Sequence, residues 1–216
     1  GGESEARDPV HGGWCFSDGR HRWPVSDCAA EVLSALLGAH AAALPDPAKR
    51  VPEARLEAAV RFILSRQNAD GGFGTYERRR GPRWLERLNP SEMFGDCMTE
   101  LSYIECTASA VIALCRFREQ HPDRLRQQMD GAITAGCAII RGRQRVDGSW
   151  PGFWGINFSY ATWFAVSALR AAGADRRDPA LVRAAQWLTA RQKPDGGWGE
   201  HYSGCLNATY AEHPES

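Results

Sequence analysis

Apolar residues recur at spacings of three and four along six stretches of the chain, which is typical of α-helices. Three stretches together carry a larger share of arginine and glutamate than the others, and each runs into a turn of sequence Gln-x-x-Asp-Gly. These stretches span 56–67, 133–144 and 180–192. The other three are rich in small and aromatic residues and are apolar around nearly their whole circumference. They span 26–44, 101–120 and 158–172. The pattern predicts an all-α fold with two kinds of helix.

The two kinds of helix alternate along the chain. A helix that is apolar on all sides must be covered on all sides, whereas a helix with a charged face can border solvent. Alternation therefore predicts inner helices surrounded by an outer layer, and this arrangement closes most naturally into an α/α barrel, or toroid. We expect the long connection 68–99 at the mouth of the barrel.

The repeated turn predicts its own local chemistry. It occurs at 67–73, 144–150 and 192–198, and each copy ends in an aromatic residue. Glycine can adopt a positive φ just past a helix end, and the aspartate can accept hydrogen bonds from free backbone amides. We expect the glutamine to bond the next helix and the aromatic residue to pack over it. Asp178 followed by Pro179 predicts an N-cap before the third of these helices.

Composition excludes several classes of function. Of the 216 residues, 43% are hydrophobic, and 26 basic residues balance 26 acidic ones. A net charge of zero does not favour a nucleic-acid or anionic-lipid partner. No stretch approaches the ~18 consecutive apolar residues of a membrane span. Seven cysteines without a CxxC pair or a histidine at ligand spacing predict neither disulfides nor a metal site, and a reducing compartment is the simplest interpretation.

Specific segments carry a resemblance to a known family. The three turns resemble the QW repeats of triterpene cyclases, and SDCAAE at 26–31 resembles the DCTAE signature of the oxidosqualene cyclase branch, which includes lanosterol and cycloartenol synthases. Further matches follow in order: TYE (75–77), LNPSEMFGD (88–96), YIECT (103–107), GSWPGFWGINFSYATWF (148–164) and GGWGEHY (196–202). Ala29 departs from the threonine of the signature. A squalene-hopene cyclase would show Asp-x-Asp-Asp where this chain has Asp27-Cys28-Ala29-Ala30, so that branch is disfavoured.

The resemblance implies an acid site. Asp27 matches the acid that protonates the epoxide, and Cys28 and Cys106 match two thiols that hydrogen-bond this acid and strengthen it. Glu31 matches a glutamate that helps to return the proton from solvent. The alternatives are that Asp27 caps the helix that follows it, that the cysteines are small buried hydrophobes, and that Glu31 is an exposed helix residue.

The resemblance also implies aromatic residues that stabilise a cation. Phe16 and Trp154 match positions that face the migrating positive charge, and Tyr76 matches a tyrosine linked to the final deprotonation. Core packing is the alternative for Phe16 and Trp154, and a capped turn hydroxyl is the alternative for Tyr76. Trp150 and Trp198 belong to the repeated turns and are expected to be structural.

Two residues bear on the product. His21 and Val25 match positions that steer where the cyclisation ends in the family. Cycloartenol-type enzymes tend to combine histidine with isoleucine, and lanosterol-type enzymes have valine with another residue at the histidine site. This chain has the histidine and the valine together, which favours a lanosterol- or parkeol-type product. A loop histidine without a role is the alternative for His21.

The resemblance thus implies an isomerase that cyclises 2,3-oxidosqualene, an apolar substrate, without a metal or organic cofactor. It also implies an intracellular, monotopic membrane protein that inserts through a segment outside this chain. The oligomeric state stays open. The start without methionine and the end without a helix terminus predict that 1–216 is one part of the barrel domain, truncated at both ends and inactive alone.

Two other classes of protein compete with this interpretation. A prenyltransferase β-subunit has similar glycine turns, but it would need a zinc set of aspartate, cysteine and histidine with a basic diphosphate pocket. A noncatalytic helical-repeat module would make Cys106 dispensable.

Overall fold

Two kinds of helix, as predicted, make up the computed structural model, which describes residues 8–17, 22–42, 50–90, 98–154 and 156–216. The inner helices are α1 (Ser26–Ala41), α3 (Ile104–Gln120) and α5 (Phe158–Ala171); the outer helices are α2 (Glu53–Leu64), α4 (Arg126–Gly142) and α6 (Pro179–Thr189). A 3₁₀ helix covers Arg83–Leu88 and a short α7 covers Ser203–Asn207, and neither was predicted. Within the described ranges, β-type pairing amounts to isolated bridges.

The inner helices pack side by side, with α3 between α1 and α5. Residues on all sides of α3 are buried, including Cys106, Ala110 and Leu114. Helix α4, in contrast, buries one stripe that includes Met129 and Ile140, as expected for an outer helix. The predicted all-α fold with alternating inner and outer helices is therefore confirmed.

The helix ends differ from the prediction at several places. The apolar pattern predicts that the outer helices end at Gln67, Gln144 and Gln192. In the structure they end two or three residues earlier. The residues that follow form tightened turns, as in the bond from the Gln67 N–H to the Leu64 carbonyl at 3.3 Å. Helix α4 begins at Arg126 rather than at 133, because its first two turns are largely polar and lie outside the apolar spacing.

The three turns share one geometry. Gly71, Gly148 and Gly196 have φ values of 94°, 96° and 90°. In each turn the aspartate Oδ1 accepts the N–H two residues later, at 2.9–3.0 Å. At Gly148 a Cβ would lie 2.5 Å from the carbonyl oxygen of Arg183, so the next outer helix also requires glycine there.

Glutamine and the aromatic residue connect each turn to different helices. Gln67 Nε2 donates to the Ala132 carbonyl of α4 at 3.0 Å, and Gln144 Nε2 donates to Ala180 of α6 at 2.8 Å, as predicted. The aromatic residue behaves differently from the prediction. Trp150 Nε1 donates to Ile140 of the preceding helix at 2.6 Å, and Trp198 Nε1 donates to Leu188 of the preceding helix at 2.8 Å.

Helix α6 begins as predicted. Asp178 Oδ1 accepts the Ala180 N–H at 2.9 Å, and Pro179 occupies the first helical position. Both carboxylate oxygens of Asp178 also accept hydrogen bonds from Arg141, which joins α6 to α4. Over the ranges that the structure describes, no helix has the length and apolar character needed to cross a membrane.

Candidate active site at the start of the inner helices

The start of α1 is fixed by backbone contacts from distant segments. The Ser26 N–H donates to the Thr75 carbonyl at 2.8 Å, and the Ser26 hydroxyl donates to Gly74 at 2.5 Å. The Val25 N–H donates to the Trp14 carbonyl at 2.9 Å. The segment after the first repeated turn therefore holds the first turn of α1 in place.

Asp27 lies in this first turn and is largely covered by protein. Its Oδ1 accepts the N–H of Cys28 at 2.7 Å. Burial raises the pKa of Asp27, the amide and thiol of Cys28 oppose this rise, and the negative charge of Glu31 adds to it. The net change is upward, which favours the protonated carboxyl that a general acid needs.

A purely structural role for Asp27 fits the geometry poorly. The N-cap of α1 is Val25, and no side chain caps the helix from that position. Asp27 does accept a free amide of the first turn, that of its neighbour Cys28, and its own amide also favours the charged form. The carboxyl is thus held at the helix start without being saturated by amides.

The two cysteines have different partners. Burial, followed by the charge of Asp27, raises the pKa of the Cys28 thiol to about 11, so this thiol stays protonated and can donate to the acid. Cys106 is fully buried, and its Sγ lies 3.9 Å from Thr75 Oγ1. Burial and then the charge of Asp27 raise its pKa well above the usual value, while the Ser26 and Thr75 hydroxyls lower it. Cys106 is therefore near Asp27, but it is hydrogen-bonded to hydroxyl groups.

Glu31 lies one helical turn after Asp27. It is exposed, and its Oε1 accepts the hydroxyl of Ser109 on α3 at 2.9 Å. A carboxylate that borders both solvent and the acid suits proton return, although the same contact also joins α1 to α3.

Tyr76 lies beside the acid as well. Its ring centroid is 5.0 Å from that of Trp23. Burial raises the pKa of Tyr76, and the charges of Glu100, Asp27 and Cys28 raise it further. Glu100 Oε2 accepts the backbone N–H of Tyr76 at 3.2 Å. The hydrogen bond that caps this turn therefore involves the backbone amide of Tyr76 and not its hydroxyl.

The remaining predicted residues have varied positions. Trp154 is partly buried in a cluster with Tyr103 and Phe153, with ring centroids 5.7 and 5.6 Å away. Phe16 is 83% exposed, so it does not pack into the core that the described residues form. Val25 is buried directly before α1. His21 lies outside the described residues.

Two residues that the sequence did not single out belong to the same site. Glu105, which precedes Cys106, is 1% exposed. Tyr160 on α5 has a pKa raised by burial and then by the charges of Glu105, Asp27, Glu31 and Cys106. An acidic residue inside an otherwise apolar helix start was the available signal for Glu105. Tyr160 has no such signal in the sequence, and it is found only through the packing of α5 against α3.

The start of α5 is fixed by a remote carboxylate. Glu200 is buried, and its two oxygens accept the N–H groups of Asn157, Phe158 and Ser159 at 2.9, 2.7 and 2.8 Å. The first turns of α1, α3 and α5 carry Asp27, Glu105 and Tyr160, whose charges affect one another, so the three helix starts border one site. Within the described ranges, no group of three or more histidine, cysteine or acidic side chains is arranged to hold a metal ion.

Comparison with known proteins gives a consistent result. Human lanosterol synthase is 41% identical over 209 residues, which cover 95% of this chain and 28% of the relative. Cycloartenol synthase of Dictyostelium discoideum is 38% identical over 220 residues, covering 98% and 31%. The chain therefore spans less than a third of the length of these relatives.

Solved structures show the same fold. The type II terpene cyclase MstE of Scytonema, in complex with geranylgeranyl dihydroxybenzoate, superposes with a TM-score of 0.56 at 16% identity, over 91% of this chain and 47% of that one. The family described as squalene-hopene cyclase C-terminal domain matches residues 2–216. The resemblance seen in the sequence is confirmed, and the chain belongs to this family of terpene cyclases.

Proposed function

We propose that this chain is the acid-bearing part of the catalytic α/α barrel of an oxidosqualene cyclase, and that Asp27 is the general acid. The observation that carries the proposal is the setting of Asp27: a partly buried carboxyl at the start of an inner helix that accepts the Cys28 amide and lies beside the Cys28 thiol, with a raised pKa. The relatives named lanosterol synthase and cycloartenol synthase support the substrate class.

The reaction begins when neutral Asp27 transfers its proton to the epoxide oxygen. The C–O bond then breaks, and its electron pair stays on the oxygen, which becomes a hydroxyl. The Cys28 amide and thiol stabilise the carboxylate that Asp27 becomes, which lowers the barrier for proton transfer. Positive charge then develops on the hydrocarbon.

Successive alkene bonds attack this charge and form the rings. The cation offers no hydrogen-bonding group, so aromatic faces are the suitable stabilising groups. The cluster that contains Trp154 provides such faces, and Tyr76 lies near the same acid. Loss of a proton from the rearranged cation ends the reaction, and Tyr76 is the residue that we assign to this step.

The product and setting of the enzyme follow the resemblance. We assign a protosterol-type tetracyclic product of the lanosterol or parkeol kind, because the chain combines His21 with Val25 at the two positions that the resemblance links to the product. We also propose that the intact enzyme is an intracellular, monotopic membrane protein that takes its apolar substrate from the bilayer.

The test uses the intact enzyme that carries this chain, expressed in a host without its own cyclase. Asp27→Asn should abolish conversion of 2,3-oxidosqualene, measured by mass spectrometry of the triterpenes. Asp195→Asn makes the same chemical change in the exposed third turn and should leave conversion intact. Conversion by Asp27→Asn at the parent rate would contradict the assignment.

A further inference from the structure

Glu105 has a carboxylate oxygen with no hydrogen-bonding partner. The residue is the second of α3 and is 1% exposed. Its Oε1 accepts the N–H of Phe153 at 2.6 Å, but Oε2 makes no hydrogen bond in the part of the chain that the structure describes. Buried polar atoms are normally paired with protein or water. This oxygen is therefore available to water or to a proton.

A cavity leads from the surface to Glu105. Its volume is about 450 Å³, and Glu105 forms part of its wall. Arg79 and Arg83, which also line it, are exposed, so the cavity reaches solvent. Since a water molecule occupies ~30 Å³ of liquid volume, the cavity can hold several.

Gly152 allows the carboxylate of Glu105 to lie close to the wall of this cavity. A Cβ at Gly152 would lie 2.5 Å from Glu105 Oε1, so only glycine allows this approach. The adjacent Phe153 then donates its amide. One oxygen of Glu105 thus fixes the residue, while the other is left unbonded.

Glu105 is also electrostatically coupled to the acid. Burial raises its pKa to about 7, the nearby amides oppose the rise, and the charge of Asp27 adds to it. Asp27 and Glu105 both raise the pKa of the Cys106 thiol. The titratable and charged groups around Glu105 are Asp27 on α1, Cys106 on α3 and Tyr160 on α5, and in the cavity wall Asp70, Arg79, Arg83, Arg143 and Cys205.

We propose that Glu105 provides the faster of two routes by which a proton returns to Asp27 after each reaction cycle, the other being the exposed Glu31 that the resemblance implies, and that Glu105 takes its own proton from water in the cavity beside Arg79 and Arg83. This proposal rests on the function proposed for Asp27. Protonation of the epoxide leaves Asp27 as a carboxylate. The proton on Glu105 then moves to Asp27, directly or through water, and Glu105 regains a proton from the cavity. The substrate cation releases one proton to solvent, so the cycle balances.

Glu105→Gln separates proton transfer from positioning. The glutamine keeps an Oε1 acceptor for Phe153, but its amide cannot supply a proton. In the intact enzyme, rapid mixing with 2,3-oxidosqualene should give a first turnover within about twofold of the parent, because Asp27 starts protonated. Later turnovers should be at least about tenfold slower, which appears as a burst of product.

Glu200→Gln is the matched control. It makes the same chemical change in another buried glutamate at an inner-helix start, and it should produce no burst. Equal rates of all turnovers in Glu105→Gln and the parent would overturn the proposal. Parallel slowing of first and later turnovers would also overturn it, because that result indicates a structural role.

A pH profile adds a second measurement. The steady-state rate of the parent should fall as the pH rises above about 7, where Glu105 loses its proton, and Glu105→Gln should lack this step. A step that persists unchanged in Glu105→Gln would contradict the proposal.

Infrared titration of the intact protein without substrate keeps the two proposals distinguishable. A protonated carboxyl should titrate near pH 7 in the parent and in Asp27→Asn, and should disappear in Glu105→Gln. Absence of this carboxyl would overturn the assignment of Glu105. Failure of the parent to convert oxidosqualene, in contrast, would contradict the proposed function.

Discussion

The starts of α1 and α5 both have a carboxylate bound to first-turn amides, but the two sites differ. At α5, Glu200 comes from a distant turn and accepts three amide hydrogen bonds through its two oxygens. At α1, Asp27 belongs to the helix itself and accepts the amide of Cys28. Burial raises the pKa of Asp27 and the amide and thiol of Cys28 only partly oppose this rise, whereas the hydrogen bonds of Glu200 satisfy three backbone amides at the start of a helix. The same helix-end chemistry therefore gives a structural residue at α5 and a reactive one at α1.

The largest expected effect is on the reactive side of this comparison. In the intact enzyme, Asp27→Asn should lower the cyclisation rate by at least about 100-fold, because the amide cannot donate the proton. Thermal unfolding of the variant should occur near the parent temperature, since asparagine keeps an Oδ1 that can accept the Cys28 N–H. A large drop in melting temperature would indicate that Asp27 is structural, like Glu200.

For Glu200 at the start of α5 we expect the reverse: a loss of stability with little loss of activity. Glu200→Ala removes the acceptor of three buried amides and should lower the free energy of unfolding by about 2–4 kcal/mol. Activity per folded molecule should be largely retained. Chemical denaturation of the intact protein and activity normalised to folded protein measure the two effects. Unchanged stability would show that water replaces the carboxylate at the start of α5.

The cysteines sharpen the comparison at α1. Cys28→Ala removes a thiol that donates to Asp27 and should slow cyclisation about tenfold, because a hydrogen bond to a charged group is lost. Cys106→Ala should have a smaller effect on rate, since the hydrogen-bonding partners of Cys106 are hydroxyls. Steady-state kinetics of the two variants decide the order. A larger effect from Cys106 would show that it bonds the acid when substrate is bound.

Asp178 gives the smallest effect and represents a plain helix cap. Asp178→Ala should cost about 1 kcal/mol, the usual value for an N-cap. Hydrogen bonds from Arg141 lower the pKa of Asp178, so its contribution is present above the unfolded value of 3.8 and is lost as the pH falls through the lowered value. The stabilities of variant and parent should therefore converge in acid. A constant difference would contradict the charge-dependent part of this account.

The sequence alone was sufficient to predict the helices and their layers. Six apolar patterns gave six of the helices, and their differing polarity separated inner from outer. The Asp-Gly turns and the Asp178 cap could be predicted because their chemistry depends on residues within a few positions of one another. The resemblance supplied Asp27, Cys28, Glu31, Cys106 and Tyr76 as candidates, but it did not give their contacts.

The tertiary structure decided which polar groups share an environment. Glu105 and Tyr160 were missed because α3 and α5 bring them towards Asp27 from distant positions in the chain. The partners of Cys106, the exposure of Phe16 and the capping of α5 by Glu200 likewise depend on contacts between distant segments. Helix periodicity and local hydrogen bonding depend on residues that are close in the sequence. Burial and the resulting proton affinity depend on what the folded chain places around each group, and this is why the tertiary structure was needed to identify the acid site.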